Sequence, residues 1–158
     1  MLPPWSELRL GRGCPLCAPR PAVNEFTYFV SKLTVSSLYL ARNQAYRGTC
    51  TLVYDSAHVT RPSELDVEAW RQFSVDTWTA EAAAISRAFQ PDHINVQCLG
   101  NTVPHLHAII APRYRSDPQW GHPMWLASGE RTGNAPMTDE DLERVARLLR
   151  QEIGSAAV

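Results

Sequence analysis

No apolar run in the chain approaches the roughly 20 residues that cross a bilayer, so nothing in it reads as a membrane-spanning helix. The opening Met1-Leu2-Pro3-Pro4-Trp5 lacks the charged n-region and long apolar core of a secretory signal. The expected address is the cytoplasm. Basic surplus is also missing: 15 Lys and Arg stand against 16 Asp and Glu, a formal net charge of -1. That balance argues against wrapping a nucleic-acid polymer or lying on an anionic membrane. It leaves room for one local basic pocket. There is no internal repeat and no low-complexity block. Cysteine is sparse, with four residues at 14, 17, 50 and 98. In a reducing compartment the pair Cys14-Pro15-Leu16-Cys17 reads as a metal or redox motif rather than a structural disulfide.

What is present fits one globular unit. The chain has 158 residues, 44% hydrophobic and 20% charged, about one domain over 1–158 with a real core. Residues 1–24 are rich in Pro, Gly and Arg and read as an irregular arm. Glu25 to Lys32 alternates poorly and suits either a short helix or an extended segment. Ser37–Leu40 and Thr49–Tyr54 read as strands joined by a loop over 42–48. Ser63 is the expected N-cap of a long helix carrying Trp70, Phe73, Thr77, Ala80 and Ala84 on one stripe, ending near Phe89 before Pro91. Ile94–Leu99 alternates like a half-buried strand, Gly100-Asn101 turns, and Leu106–Ala111 is a further strand stopped by Pro112. A loop covers 114–136. The last helix runs over about 138–153 with Leu142, Val145, Leu148 and Leu149 on its apolar face. This order predicts an α+β fold with an antiparallel sheet of about five strands, one long helix and a C-terminal helix.

His105-Leu106-His107 is the sharpest chemical feature. On a strand, residues i and i+2 share a face, so the two imidazoles project together, with Ile109 and Ala111 continuing that face. A neutral imidazole is a competent nucleophile or base near pH 7. Taken alone, the spacing fits a pair of partly exposed strand histidines equally well. Arg42, Arg47, Arg113 and Arg115 flank the site in sequence and offer charge to a phosphate. Trp120 and Trp125 suit a pocket cover, a partner contact or ordinary packing.

The stretch Asn101-Thr102-Val103-Pro104-His105-Leu106-His107, with Pro112-Arg113-Tyr114 and Asp117-Pro118-Gln119-Trp120-Gly121 after it, resembles the signature of histidine-triad (HIT) proteins. It looks closest to their bacterial, diadenosine tetraphosphate hydrolase-like branch. Leu38–Asn43, Gly48–Tyr54, His58-Val59-Thr60 and His93-Ile94-Asn95 fall in the order that branch expects, so the resemblance covers roughly residues 14–125. It implies a HIT-like sheet and attack by the middle histidine, here His107, on the α-phosphorus of a nucleotide to give a nucleotidyl-histidine. Asn101 matches an amide that contacts phosphate, and Asn43 and Asn95 match regions lining the nucleoside pocket. Adenine is the base the family suggests, and a two-fold homodimer its usual assembly.

The third histidine of the triad falls on Ile109, which cannot donate a hydrogen bond or a proton. His122 is a candidate replacement. Cys14, Cys17, His58 and His105 form the donor set of a tetrahedral structural Zn2+, and many bacterial relatives look as though they bind zinc in this way. Such an ion would staple the arm to the sheet. Cys50 and Cys98, in strands, are expected to be buried apolar residues. Two functions follow: a nucleotide hydrolase or nucleotidyl transferase working through His107, or a zinc-stabilised nucleotide-binding protein whose catalysis faded with Ile109. A Cys-x-x-Cys redox protein is the weakest reading, because the βαβ context is missing.

Overall fold

The computed structural model describes residues 2–117, 119–123 and 137–156. Five strands form one antiparallel sheet: β1 (Thr27–Lys32), β2 (Ser36–Ala41), β3 (Cys50–Tyr54), β4 (His93–Gln97) and β5 (His107–Arg113), in the order β1-β2-β3-β5-β4. Between β3 and β4 lie a 3-10 turn (Pro62–Glu64), helix α2 (Val67–Trp78), a π-helical segment (Thr79–Ile85) and helix α3 (Ser86–Phe89). Helix α4 spans Asp139–Ala156. The expected α+β class and five-strand antiparallel sheet are both present. Among the described residues no helix is long and apolar enough to cross a membrane.

Alternation along each strand divides the sheet into two faces. Leu38, Leu40, Cys50, Leu52, Ala108 and Ile110 point to the helical side. There they meet Phe73, Ala80, Ala84, Ile85 and Phe89 of the long helical stretch and Leu142, Ala146 and Leu149 of α4. Every one of these residues is buried. The opposite face carries Thr51, Val53, His107, Ile109, Ala111, Asn95 and Gln97. The core thus supports the sheet from one side and leaves the other free for a site.

Several boundaries differ from the sequence reading, each for a local reason. The arm is not wholly irregular: α1 (Trp5–Leu8) forms a single turn that buries Leu8. Residues 27–32 are a strand, and a register shift between Phe29 and Ser31 explains their poor alternation. Ser63 lies in the 3-10 turn, and extended Leu65 separates it from α2. The N-cap is Asp66, whose side chain accepts from the Ala69 amide at 2.8 Å. Trp70 is 44% exposed rather than core-facing. Pro112 does not stop β5, because β3 pairs with it only to Ile110. Beyond that point one side of the strand is open and a missing N–H disrupts no ladder there. Leu148 sits at the rim of α4, and that helix continues past Gly154.

Asp76 of α2 holds the β1–β2 turn. Its buried carboxylate accepts from the Thr34 amide at 3.0 Å and the Val35 amide at 2.8 Å.

Candidate active site and metal centre

The Cys14–Cys17 turn closes on itself, with the Cys17 and Ala18 amides donating to the Cys14 carbonyl. It lies against His58 and His105. Cys17 Sγ is 3.2 Å from His58 Nδ1 and 3.4 Å from His105 Nδ1, and Cys14 Sγ is 3.6 Å from His105 Nδ1. All four donor atoms fall within 4.8 Å of one another. Bonds of about 2.3 Å to sulfur and 2.05 Å to nitrogen at tetrahedral angles set S···N edges of about 3.5 Å. The donor set therefore fits a tetrahedral ion of zinc size.

Hydrogen bonds prepare both imidazoles for that role. His105 Nε2 lies 2.7 Å from the Tyr54 carbonyl and His58 Nε2 lies 3.2 Å from the Arg9 carbonyl. A carbonyl only accepts, so each Nε2 carries the proton and each Nδ1 keeps its lone pair for a metal. Burial pushes His105 below the usual imidazole range, against the pull of the Tyr54 bond, and the charges of His58, Arg20 and His107 lower it further. It stays neutral, as a ligand must. Burial also raises the Cys17 thiol, helped by a hydrogen bond and like charge from Cys14, to about 11. Without a cation that thiol keeps its proton.

Gly11 makes the close approach of the arm feasible. Its φ is +80°, a left-handed value that favours glycine, and a Cβ there would sit 3.3 Å from His58 Cγ. Arg20 ties the far end of the arm down. It donates to the Leu16 carbonyl, to Tyr39 Oη at 2.8 Å and to the Asp55 carboxylate, and its guanidinium lies over the Tyr39 ring. Lys32 and Ser37 complete the Asp55 shell. The sequence reading missed this tether, because no spacing in the chain connects residue 20 with residue 55.

His107 opens β5, whereas His105, expected on the same strand, stands two residues earlier in a bend, its amide donating to the Val103 carbonyl at 2.8 Å. The His107 Nδ1–H donates to the His105 carbonyl at 2.7 Å. Its Nε2 lone pair is therefore the free one. His107 lines a cleft of about 430 Å³ together with Asn101, His58, Arg9, Arg61 and Trp5. A second cleft of about 400 Å³ holds Asn95, Gln97, His93, Trp120 and His122. His107 and Asn101 thus meet, Asn95 lies in the neighbouring cleft, and exposed Asn43 lines neither. The Asn43 side chain accepts from the Ala45 amide two residues on, as in a local turn.

The arginines are distributed differently from expectation. Arg113 is buried and spans Asn95 Oδ1, the Asp117 carboxylate and the Gln119 and His122 carbonyls, over the Tyr46 ring. It pins Asp117, Gln119 and His122 to the sheet. Arg42 pairs with Asp139, Arg47 lies over Phe89, and the Arg115 amide donates to Asp92. The cations lining the His107 cleft are Arg9 and Arg61, which the sequence reading did not single out. Cys50 is buried as expected, whereas Cys98 is exposed beyond the end of β4. Trp125 lies outside the described residues.

This antiparallel sheet with helices on one face is the fold of histidine triad proteins. A histidine triad protein from Marinobacter aquaeolei VT8 matches with a TM-score of 0.71 at 23% identity, over 82% of this chain and 90% of that one. One from Sinorhizobium meliloti 1021 matches at 0.71 and 21%, over 89% and 99%. A zinc-bound histidine triad protein from Mycobacterium smegmatis matches at 0.56 and 17%, over 82% and 85%. No family model and no curated protein matches the sequence.

Proposed function

We propose that this protein is a HIT-type nucleotide hydrolase or nucleotidyl transferase of the diadenosine tetraphosphate hydrolase-like branch. In this reading His107 Nε2 attacks the α-phosphorus, the leaving group departs, and water or another acceptor resolves the nucleotidyl-histidine. The observation that carries the reading is the His107 Nδ1–H bond to the His105 carbonyl, which leaves the nucleophilic nitrogen free beside a cleft of nucleotide size. Asn101 contacts phosphate, Asn95 belongs to the nucleoside side, and an adenine nucleotide is the substrate class. The shared fold with histidine triad structures supports the assignment.

Cys14, Cys17, His58 and His105 hold a structural Zn2+ in this reading. The ion supplies no chemistry to the reaction. It fixes the arm and the His105 main chain on which His107 leans. Incubation with a panel of adenylylated compounds and intact-protein mass spectrometry tests the proposal directly. A nucleotidyl adduct on wild type and none on His107→Ala is the expected outcome. Equal turnover of both proteins on every compound leaves the second reading, a zinc-stabilised nucleotide-binding protein, which the apolar Ile109 favours.

A homodimer in the cytoplasm completes the proposal. The β1 edge is closed by Arg150, which donates to the Phe29 and Val30 carbonyls. The β4 edge has no such cover among the described residues. Val67 and Trp78 stand 87% and 61% exposed on α2. An open edge and apolar exposure of this kind suit pairing with a second copy.

A further inference from the structure

Ile109 follows His107 on the same sheet face and offers no polar group, and the ladder places one directly across from it. β4 and β5 pair with Gln97 opposite Ile109 and Asn95 opposite Ala111. Directly opposed residues of an antiparallel pair share a sheet face, and diagonal neighbours lie about 7 Å apart, within reach of a long side chain. His107 is the diagonal neighbour of Gln97 on that face, two residues before Ile109. Gln97 is half-buried, and its carboxamide has no hydrogen-bond partner among the described residues. Neighbouring Asn95, by contrast, is committed to Arg113 at 2.8 Å. Gln97 lines the cleft that adjoins the His107 cleft along this sheet face, and of the other groups there His122 is fixed by its carbonyl to Arg113, at the end of β5 away from His107.

We infer that Gln97 is a catalytic residue: its amide N–H donates to the oxygen that leaves the α-phosphorus, taking the place Ile109 cannot fill. This rests on the nucleophilic reading of His107. An amide donates a hydrogen bond but gives up no proton, and that fixes the substrate class. His107 Nε2 forms a bond to phosphorus, the bridging P–O bond breaks, and its electron pair stays on the leaving oxygen. That oxygen departs as an anion held by Gln97. Water then attacks phosphorus, the P–Nε2 bond breaks with its pair returning to the imidazole, and the water proton passes to solvent. Leaving groups stable as anions, such as a polyphosphate or a carboxylate, suit this site. Amines, which must be protonated to leave, do not. The site is therefore specific for anhydrides of a nucleotide over its phosphoramidates.

The test compares wild type, Gln97→Ala, Gln97→Met and His107→Ala on one nucleotide bearing leaving groups of graded basicity. Rates and binding of the nucleoside monophosphate are measured together. The expected result is His107-dependent turnover of anhydrides at least about 100-fold faster than of phosphoramidates. Both Gln97 variants should lose about 10²- to 10³-fold in kcat on anhydrides, the scale of one lost oxyanion donor, with monophosphate binding within about twofold. Gln97→Met keeps the side-chain length, so its loss separates the donor from packing. Unchanged kcat in both variants, or phosphoramidates cleaved as fast as anhydrides, overturns the inference while leaving the nucleophile in place. Turnover that survives His107→Ala overturns the underlying reading instead.

Discussion

A single carbonyl, that of His105, decides which nitrogen of His107 is free, and the side chain of the same residue joins the donor set. His107→Asn should therefore abolish adduct formation but leave nucleotide binding within about twofold, since binding rests on other groups. Mass spectrometry and equilibrium binding read the two effects separately. Ile109→His should restore a proton donor beside the leaving group and raise turnover of phosphoramidates by about 10²-fold, with a smaller change for anhydrides. No gain on phosphoramidates would mean that Ile109 does not face the leaving group. Protons also enter through the proposed zinc site. Cys17, raised to about 11, must lose its proton on coordination. Apparent zinc affinity should fall on acidification between about pH 8 and 6, by up to about tenfold per unit for each thiol displaced. Chelator competition across that range checks it, and a flat profile would count against thiolate ligation.

The elements that present these residues differ in how they are secured. Cys14→Ala or Cys17→Ala should release zinc and speed proteolysis of the arm ahead of β1, while far-ultraviolet circular dichroism of the sheet stays unchanged. The Arg20–Asp55 tether adds its own pH dependence. Burial works to raise Asp55, but bonds from Lys32, Ser37 and Arg20 outweigh it and hold the carboxyl below its ordinary value. Its contribution is present above about pH 4 and is lost as pH falls through the lowered value. Asp55→Asn should flatten the acid limb of the melting curve. The central strands were legible in sequence because their alternation is regular, and the donor set because Cys-x-x-Cys and the His spacing are distinctive. β1 was not, since its bulge breaks the period. Asp66 was hidden behind Ser63, an equally good capping residue that a 3-10 turn consumed. The commitments of Arg113 and Arg20 depend on partners brought near by tertiary folding, which no spacing encodes. The same holds for Gln97: its position opposite Ile109 is a matter of register alone.

At the scale of the molecule, one edge of the sheet is closed by Arg150 and the other is uncovered among the described residues. Light scattering should give a dimer, and Trp78→Glu should shift it toward monomer without lowering secondary structure. A wild-type monomer at high concentration would refute the assembly. The lead-in to β5 has a further consequence. Strand side chains alternate with a period of two, so a shift of one position would place Leu106 and Ala108 in the cleft and drive His107 toward the helices. His105 is held on both ring nitrogens, by the Tyr54 carbonyl and the thiol cluster, and cannot slide. The Cys14–Cys17–His58–His105 cluster thus acts as the reading frame of the strand. One residue added or deleted between His105 and Ile109 should therefore silence the nucleophile in a protein that still folds.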